Sequence, residues 1–99
     1  NMTPKRLTHD EIQQALEELS GWSIVEGKLH KAFKFDSFGE AIGWMVSVAI
    51  YADKIEHHPE WMNVYNRVQV DLVTHDLDDA ISNLDVEMAR KMNTIAGQG

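Results

Sequence analysis

Three of the five histidines in this 99-residue chain fall where they could act together. His57 and His58 are adjacent, close a helical pattern and are followed at once by Pro59. His75 comes after the next apolar segment, where a strand pattern stops. Imidazole is the side chain whose unperturbed pKa lies nearest neutrality, so such a cluster suits general acid and base work. Asp53 stands one helical turn before His57 and could orient an imidazole. Two blander readings compete. A histidine pair at a helix end is commonly a solvated terminus, where imidazolium also suits the negative end of the helix dipole. Three histidines can also hold a metal, but the chain has no His-Glu-x-x-His pattern, and no metal is expected. His9 and His30 have no motif around them and are expected to be exposed.

The elements that must position these residues are legible in the apolar spacing. Thr8, with Glu11 three residues on, opens a first helix carrying Ile12, Ala15, Leu16 and Leu19, and Gly21 stops it. Residues 22–35 read as a hairpin with Glu26-Gly27 as its turn, and Leu29, Phe33 and Phe35 on one face. Ser37-x-x-Glu40 forms a second capping box for a helix over 36–57, with a stripe from Phe38 to Ile55. Pro59 disfavours the helical conformation at His58, so the helix is expected to end near His57, on its last turn. Trp61–Tyr65 and the alternating Val68–Val73 segment read as two more strands, with Trp61 and Tyr65 as candidate cross-strand packing. Asp76–Ala80 reads as a solvated loop lacking the spacing of a calcium loop. Ser82-x-x-Asp85 caps a last helix with Leu84, Met88, Met92 and Ile95 on its stripe, and Asp85 is read first as a cap. Residues 97–99 are expected to fray. The order α-β-β-α-β-β-α predicts an α+β, two-layer domain spanning 1–99, a four-stranded antiparallel sheet with three helices packed on one face.

Composition narrows the function classes. A formal charge of −7 opposes direct contact with nucleic acid or an anionic membrane. The absence of cysteine removes thiolate catalysis, disulfides and cysteine-ligated zinc, and fits a reducing compartment. No apolar run reaches the roughly 20 residues of a membrane span, and residues 1–8 lack the apolar core of a secretory signal. A cytoplasmic location is expected, with a nuclear one added if a transcription partner exists.

Asp53-x-x-x-His57-His58-Pro59-x-Trp61-x-x-x-Tyr65, then Thr74-His75 and Ile81-Ser82-x-x-Asp85, resembles the pterin-4a-carbinolamine dehydratase family. The likeness covers nearly the whole chain in element order. Two departures are visible: the loop between His75 and Ser82 is about one residue longer than in vertebrate members, and Asp53 stands where a Glu is common. The resemblance implies loss of water from 4a-hydroxytetrahydrobiopterin to give quinonoid dihydropterin, with no metal or redox cofactor. It implies His57, His58 and His75 as the catalytic group, with His57 and His75 moving protons and His58 helping to hold substrate. Asp53, Glu56, Pro59, Trp61, Val73, Thr74 and Asp76 are implied to surround the pterin, with backbone at 56–58 and 73–76 meeting its amide-rich edge and Trp61 as part of the wall. The family also implies a homodimer or homotetramer. Vertebrate members stabilise a transcription factor's dimerisation domain, so such a partner is a second expectation. The candidate surface for it is the outer side of helix 36–57, where Trp44, Val46 and Ile50 lie off the main stripe.

Overall fold

Three polar residues open the three helices. In the computed structural model, which describes residues 2–98, Thr8 caps α1 (His9–Glu18), Ser37 caps α2 (Phe38–Ile55) and Ser82 caps α3 (Asn83–Ile95). Thr8 with Glu11 and Ser82 with Asp85 form complete capping boxes, in which side chain and backbone satisfy each other's end groups. Ser37 accepts from the Glu40 N–H, but the return bond from Glu40 expected at this helix is not among those the structure forms.

Between the helices lie β1 (Ser23–Val25), β2 (Lys28–Lys34), β3 (Glu60–Val64) and β4 (Arg67–Leu72). They form one antiparallel sheet in the order β1-β2-β4-β3. Glu26 and Gly27 both take positive φ, 51° and 78°, the two-residue turn whose twist matches a right-handed hairpin. Register pairs Leu29 with Leu72 and Phe33 with Val68, so these four side chains share a face. All four are buried, and they join Trp44, Val48, Met88 and Met92 in one core cluster. Ile12, Ala15 and Leu16 of α1 pack against the same cluster, so all three helices cover one face of the sheet. Fully burying a side chain of this size contributes about 1.5–3 kcal/mol. The opposite face, with Ala32, Lys34, Met62, Val64 and Gln69, remains exposed. This is the expected α+β architecture.

Several local expectations are corrected. Helix α2 ends at Ile55, not at His57. Glu56 turns left-handed with φ 55°, its N–H reaches Asp53 O at 3.3 Å, and the His57 N–H reaches back to Ala52 O at 3.1 Å. That pair of bonds is a Schellman motif, and it places His57 beyond the helix rather than on its last turn. Tyr65 is not packed across the sheet; it sits in the β3–β4 turn with φ 51° and is 65% exposed. Trp44 is not part of an outer surface. It is buried against Phe33, and its indole N–H donates to Met92 O. His30 is half-buried, with Nδ1 2.8 Å from Asp71, whereas His9 is exposed as expected.

The residues at the chain's end were expected to fray, yet Gln98 is tied down. Its N–H reaches Asn93 O at 2.7 Å, and its side-chain oxygen accepts from Lys31. Gly99 lies outside the described residues. Lys31 is a buried cation on the core face of β2, unmarked in the sequence pattern. Its ammonium also donates to Ser20 O and Asn93 Oδ1, and lies 4.4 Å from the centre of the Phe33 ring.

Candidate active site

The end of α2, the start of β3 and the end of β4 meet at one end of the sheet. There they frame a cavity of about 460 Å³, open to solvent on one side, within the range of small-molecule sites. His57, His58 and His75 all line it, together with Glu56, Pro59, Glu60, Thr74 and Asp76. Met2, Pro4, Ile55 and Leu84 supply the apolar part of the wall. The left-handed turn at Glu56 is what swings the His-His-Pro segment away from the helix axis and toward the end of β4. His75 reaches the same cavity from a single 3₁₀ turn, His75–Leu77, that follows β4.

Each of the three histidines faces its own carboxylate. His57 Nε2 lies 2.6 Å from Asp85 Oδ1, His75 Nδ1 lies 2.7 Å from Asp79 Oδ1, and His58 Nε2 lies 3.2 Å from Asp53 Oδ1. Burial separates them. The side chains of His57 and Asp85 are 9% and 0% exposed, those of His75 and Asp79 67% and 62%, and those of His58 and Asp53 67% and 83%. Exposed ion pairs contribute about 0–1 kcal/mol, whereas removing one partner of a buried pair costs about 3–5 kcal/mol.

Asp85 is the most constrained carboxylate. Its Oδ2 accepts from the Ser82 N–H at 2.8 Å and from the Thr74 hydroxyl at 2.8 Å, while Oδ1 faces His57. With the Thr74 proton given to Asp85, the Ser82 hydroxyl donates to Thr74 Oγ1, and it accepts from the Leu84 N–H. A chain of hydrogen bonds thus runs Ser82–Thr74–Asp85–His57 beneath the cavity floor. The helix cap and the histidine partner are the same carboxylate: one oxygen serves each role.

The residues expected around the substrate divide. Glu56, Pro59, Thr74 and Asp76 line the cavity. Thr74 is only 3% exposed, and its hydroxyl, its N–H and its carbonyl are all engaged within the fold. Asp53 touches the site through His58 and is not part of the wall. Val73 is buried outside it. Trp61 is not part of the wall either; it packs on Trp44 at 6.1 Å between ring centres. Sequence reasoning missed Asp79, Glu60 and the contact of Asp85 with His57. Asp79 stands four residues after His75, a spacing that becomes informative only once the turn is known. Glu60 stands beside Pro59, just before the strand read over 61–65, and nothing in the pattern marks it. Its Oε1 accepts from Lys28 Nζ at 2.6 Å, and that bond holds the Lys28 ammonium above its ordinary pKa.

Comparison with known proteins identifies the family of the chain. A family model described as pterin 4 alpha carbinolamine dehydratase matches residues 5–95. Proteins of Brucella ovis and Brucella melitensis biotype 1, provisionally named pterin-4-alpha-carbinolamine dehydratase, are 49% identical over 98 residues. Each alignment covers 97% of this chain and 100% of the relative. A crystal structure described as a transcriptional coactivator/pterin dehydratase from Brucella melitensis superposes with a TM-score of 0.89 at 49% identity, covering 94% of this chain and 100% of that one. On the match of sequence and fold together, the chain belongs to the pterin 4 alpha carbinolamine dehydratase family, a family of hydro-lyases.

Proposed function

We propose that this chain removes water from a 4a-hydroxytetrahydropterin, 4a-hydroxytetrahydrobiopterin being the expected substrate, to give the quinonoid dihydropterin in recycling of the reduced cofactor. The observation that carries the reading is the cavity with three imidazoles on its wall, two of them braced by carboxylates at 2.6 and 2.7 Å. The substrate carbon bears a hydroxyl and a ring nitrogen. One group takes the proton from that nitrogen, the nitrogen lone pair forms the C=N bond, the C–O bond breaks, and a second group delivers a proton so that the hydroxyl leaves as water. No electrons enter or leave, so the reaction requires two proton carriers and a fixed substrate. General acid–base groups contribute about 10²–10⁴-fold each to such steps.

His57 and His75 are the proposed proton carriers. A carboxylate accepts hydrogen bonds and donates none, so it fixes which ring nitrogen carries the proton. Asp85 does this for His57 and Asp79 for His75. His58, exposed and at a longer distance from Asp53, suits substrate binding. The Glu56 and Asp76 carboxylates suit the N–H groups of the pterin edge. Absorbance of a 4a-hydroxytetrahydropterin should decay faster with the protein present, and the single variants His57→Ala and His75→Ala should each lose about 10²-fold or more of that acceleration. Full activity in either would remove that histidine from the mechanism.

A second reading rests on the outer side of α2, where Phe38, Val46 and Ile50 are 52%, 54% and 68% exposed. The Brucella melitensis structure is described as a coactivator as well as a dehydratase. Such a row of apolar side chains suits helix-to-helix docking, either in a homodimer or homotetramer or against a transcription factor's dimerisation domain. The two readings are compatible, because the cavity and this face involve different residues. A cytoplasmic location, extended to the nucleus for the second reading, fits the chemistry of both.

A further inference from the structure

The loop that follows His75 is built in an unusual way. Asp78 and Asp79 are consecutive residues with φ 55° and 61°, the left-handed region that costs a side-chain-bearing residue about 1–2 kcal/mol. Backbone bonds hold the loop shut: Leu77 and Asp79 N–H both donate to Thr74 O, Asp78 N–H to His75 O, and Thr74 N–H to Ala80 O. The chain therefore doubles back on itself and returns the Asp79 carboxylate to His75 Nδ1 at 2.7 Å. On the other side of the ring, Nε2 lies 3.7 Å from Glu60 Oε2, beyond hydrogen-bond reach. Glu60 is occupied elsewhere, through the 2.6 Å bond from Lys28 to its Oε1.

From this geometry we propose that Asp79 is the positioning residue of His75, holding the neutral ring in its Nδ1–H tautomer so that the Nε2 lone pair is left for the substrate's proton. The inference rests on the dehydratase reading and assigns Asp79 a role that acts through His75, without contact with the reacting atoms. An unbound neutral imidazole favours the opposite, Nε2–H, tautomer. In that form Nε2 has no lone pair to offer, and the ring would need to flip before it could serve as a base. An exposed pair of this kind contributes little to stability; its consequence is which nitrogen is basic.

Nitrogen-15 NMR of the histidine rings in the full chain, at a pH where His75 is neutral, tests this directly. His75 should show a protonated Nδ1 and an unprotonated Nε2. Asp79→Ala should move the ring toward the Nε2–H form and lower kcat about tenfold, with KM within twofold. Asp79→Asn can turn its amide to donate into Nδ1, trapping the wrong tautomer, and should lower kcat further, as an amide does in place of the aspartate of a catalytic triad. Asp78→Asn makes the same change of charge one residue away and should leave both tautomer and kcat unchanged. A His75 ring already in the Nε2–H form, or a tautomer unmoved in Asp79→Ala, would overturn the inference. A wild-type protein with no dehydratase activity would instead overturn the functional reading, while the tautomer measurement still judges Asp79.

Discussion

At the scale of single residues, the site is a set of imidazoles distinguished by what stands behind them. His57 is 8% exposed and rests on a carboxylate that solvent does not reach. Asp85→Ala would leave the His57 ring N–H, the Ser82 N–H and the Thr74 hydroxyl without their acceptor. The expected cost is about 3–5 kcal/mol, read as a lower midpoint in urea unfolding. A loss below about 1 kcal/mol would mean that the three donors find other partners. His57, His58 and His75 were legible from type and spacing. The contact between His57 and Asp85 was not, because it joins residues 28 positions apart through packing of α3 beneath the end of α2. The sequence marked Asp85 as a cap, which is correct for one of its oxygens and silent about the other.

At the scale of elements, the end of α2 decides where the histidines point. A proline at 59 was enough to predict a stop close by, but the left-handed residue that makes the stop is Glu56, and a glutamate gives no sign of that conformation. Glu56→Gly removes the Cβ clash at φ 55° and should stabilise the fold by about 1 kcal/mol. If the Glu56 carboxylate meets the pterin edge, KM should rise in the same variant. Unchanged stability would show that the surrounding bonds already relieve the strain.

Lys31 joins β2 to α3 and to Gln98, and it lies on the core face of β2 between Leu29 and Phe33. Burial pushes its ammonium below the ordinary value of 10.5. Between the folded and unfolded values the unfolded chain holds the extra proton, so stability from this group rises with pH across that window. Below the window both states are charged and the contribution is constant. The difference in urea midpoint between wild type and Lys31→Met should therefore move in favour of wild type as pH approaches 10.5. A difference that stays flat or moves the other way would show that the ammonium is not hindered by its surroundings.

At the scale of the whole molecule, the alternation of the strands and the stripes of the helices predicted a one-sided sheet, and the structure has one. Periodicity reports which face is buried. It does not report which end of the sheet gathers loops into a cavity; the family resemblance implied Trp61 as part of a wall, whereas the indole packs on Trp44. Periodicity also grouped Trp44 with the outer side of α2, where Val46 and Ile50 are in fact the exposed pair. Light scattering at micromolar concentration should give the mass of a dimer or tetramer, and Val46→Glu with Ile50→Glu should lower that mass. A wild-type monomer would count against this face as an assembly surface. The central claim is that two carboxylate-braced histidines carry the dehydration. Its most direct measurement is the decay rate of a 4a-hydroxytetrahydropterin with wild type and with the His57→Ala, His75→Ala double variant. Acceleration by the wild type and a return to the uncatalysed rate in the double variant is the predicted result; equal acceleration by both proteins would contradict it.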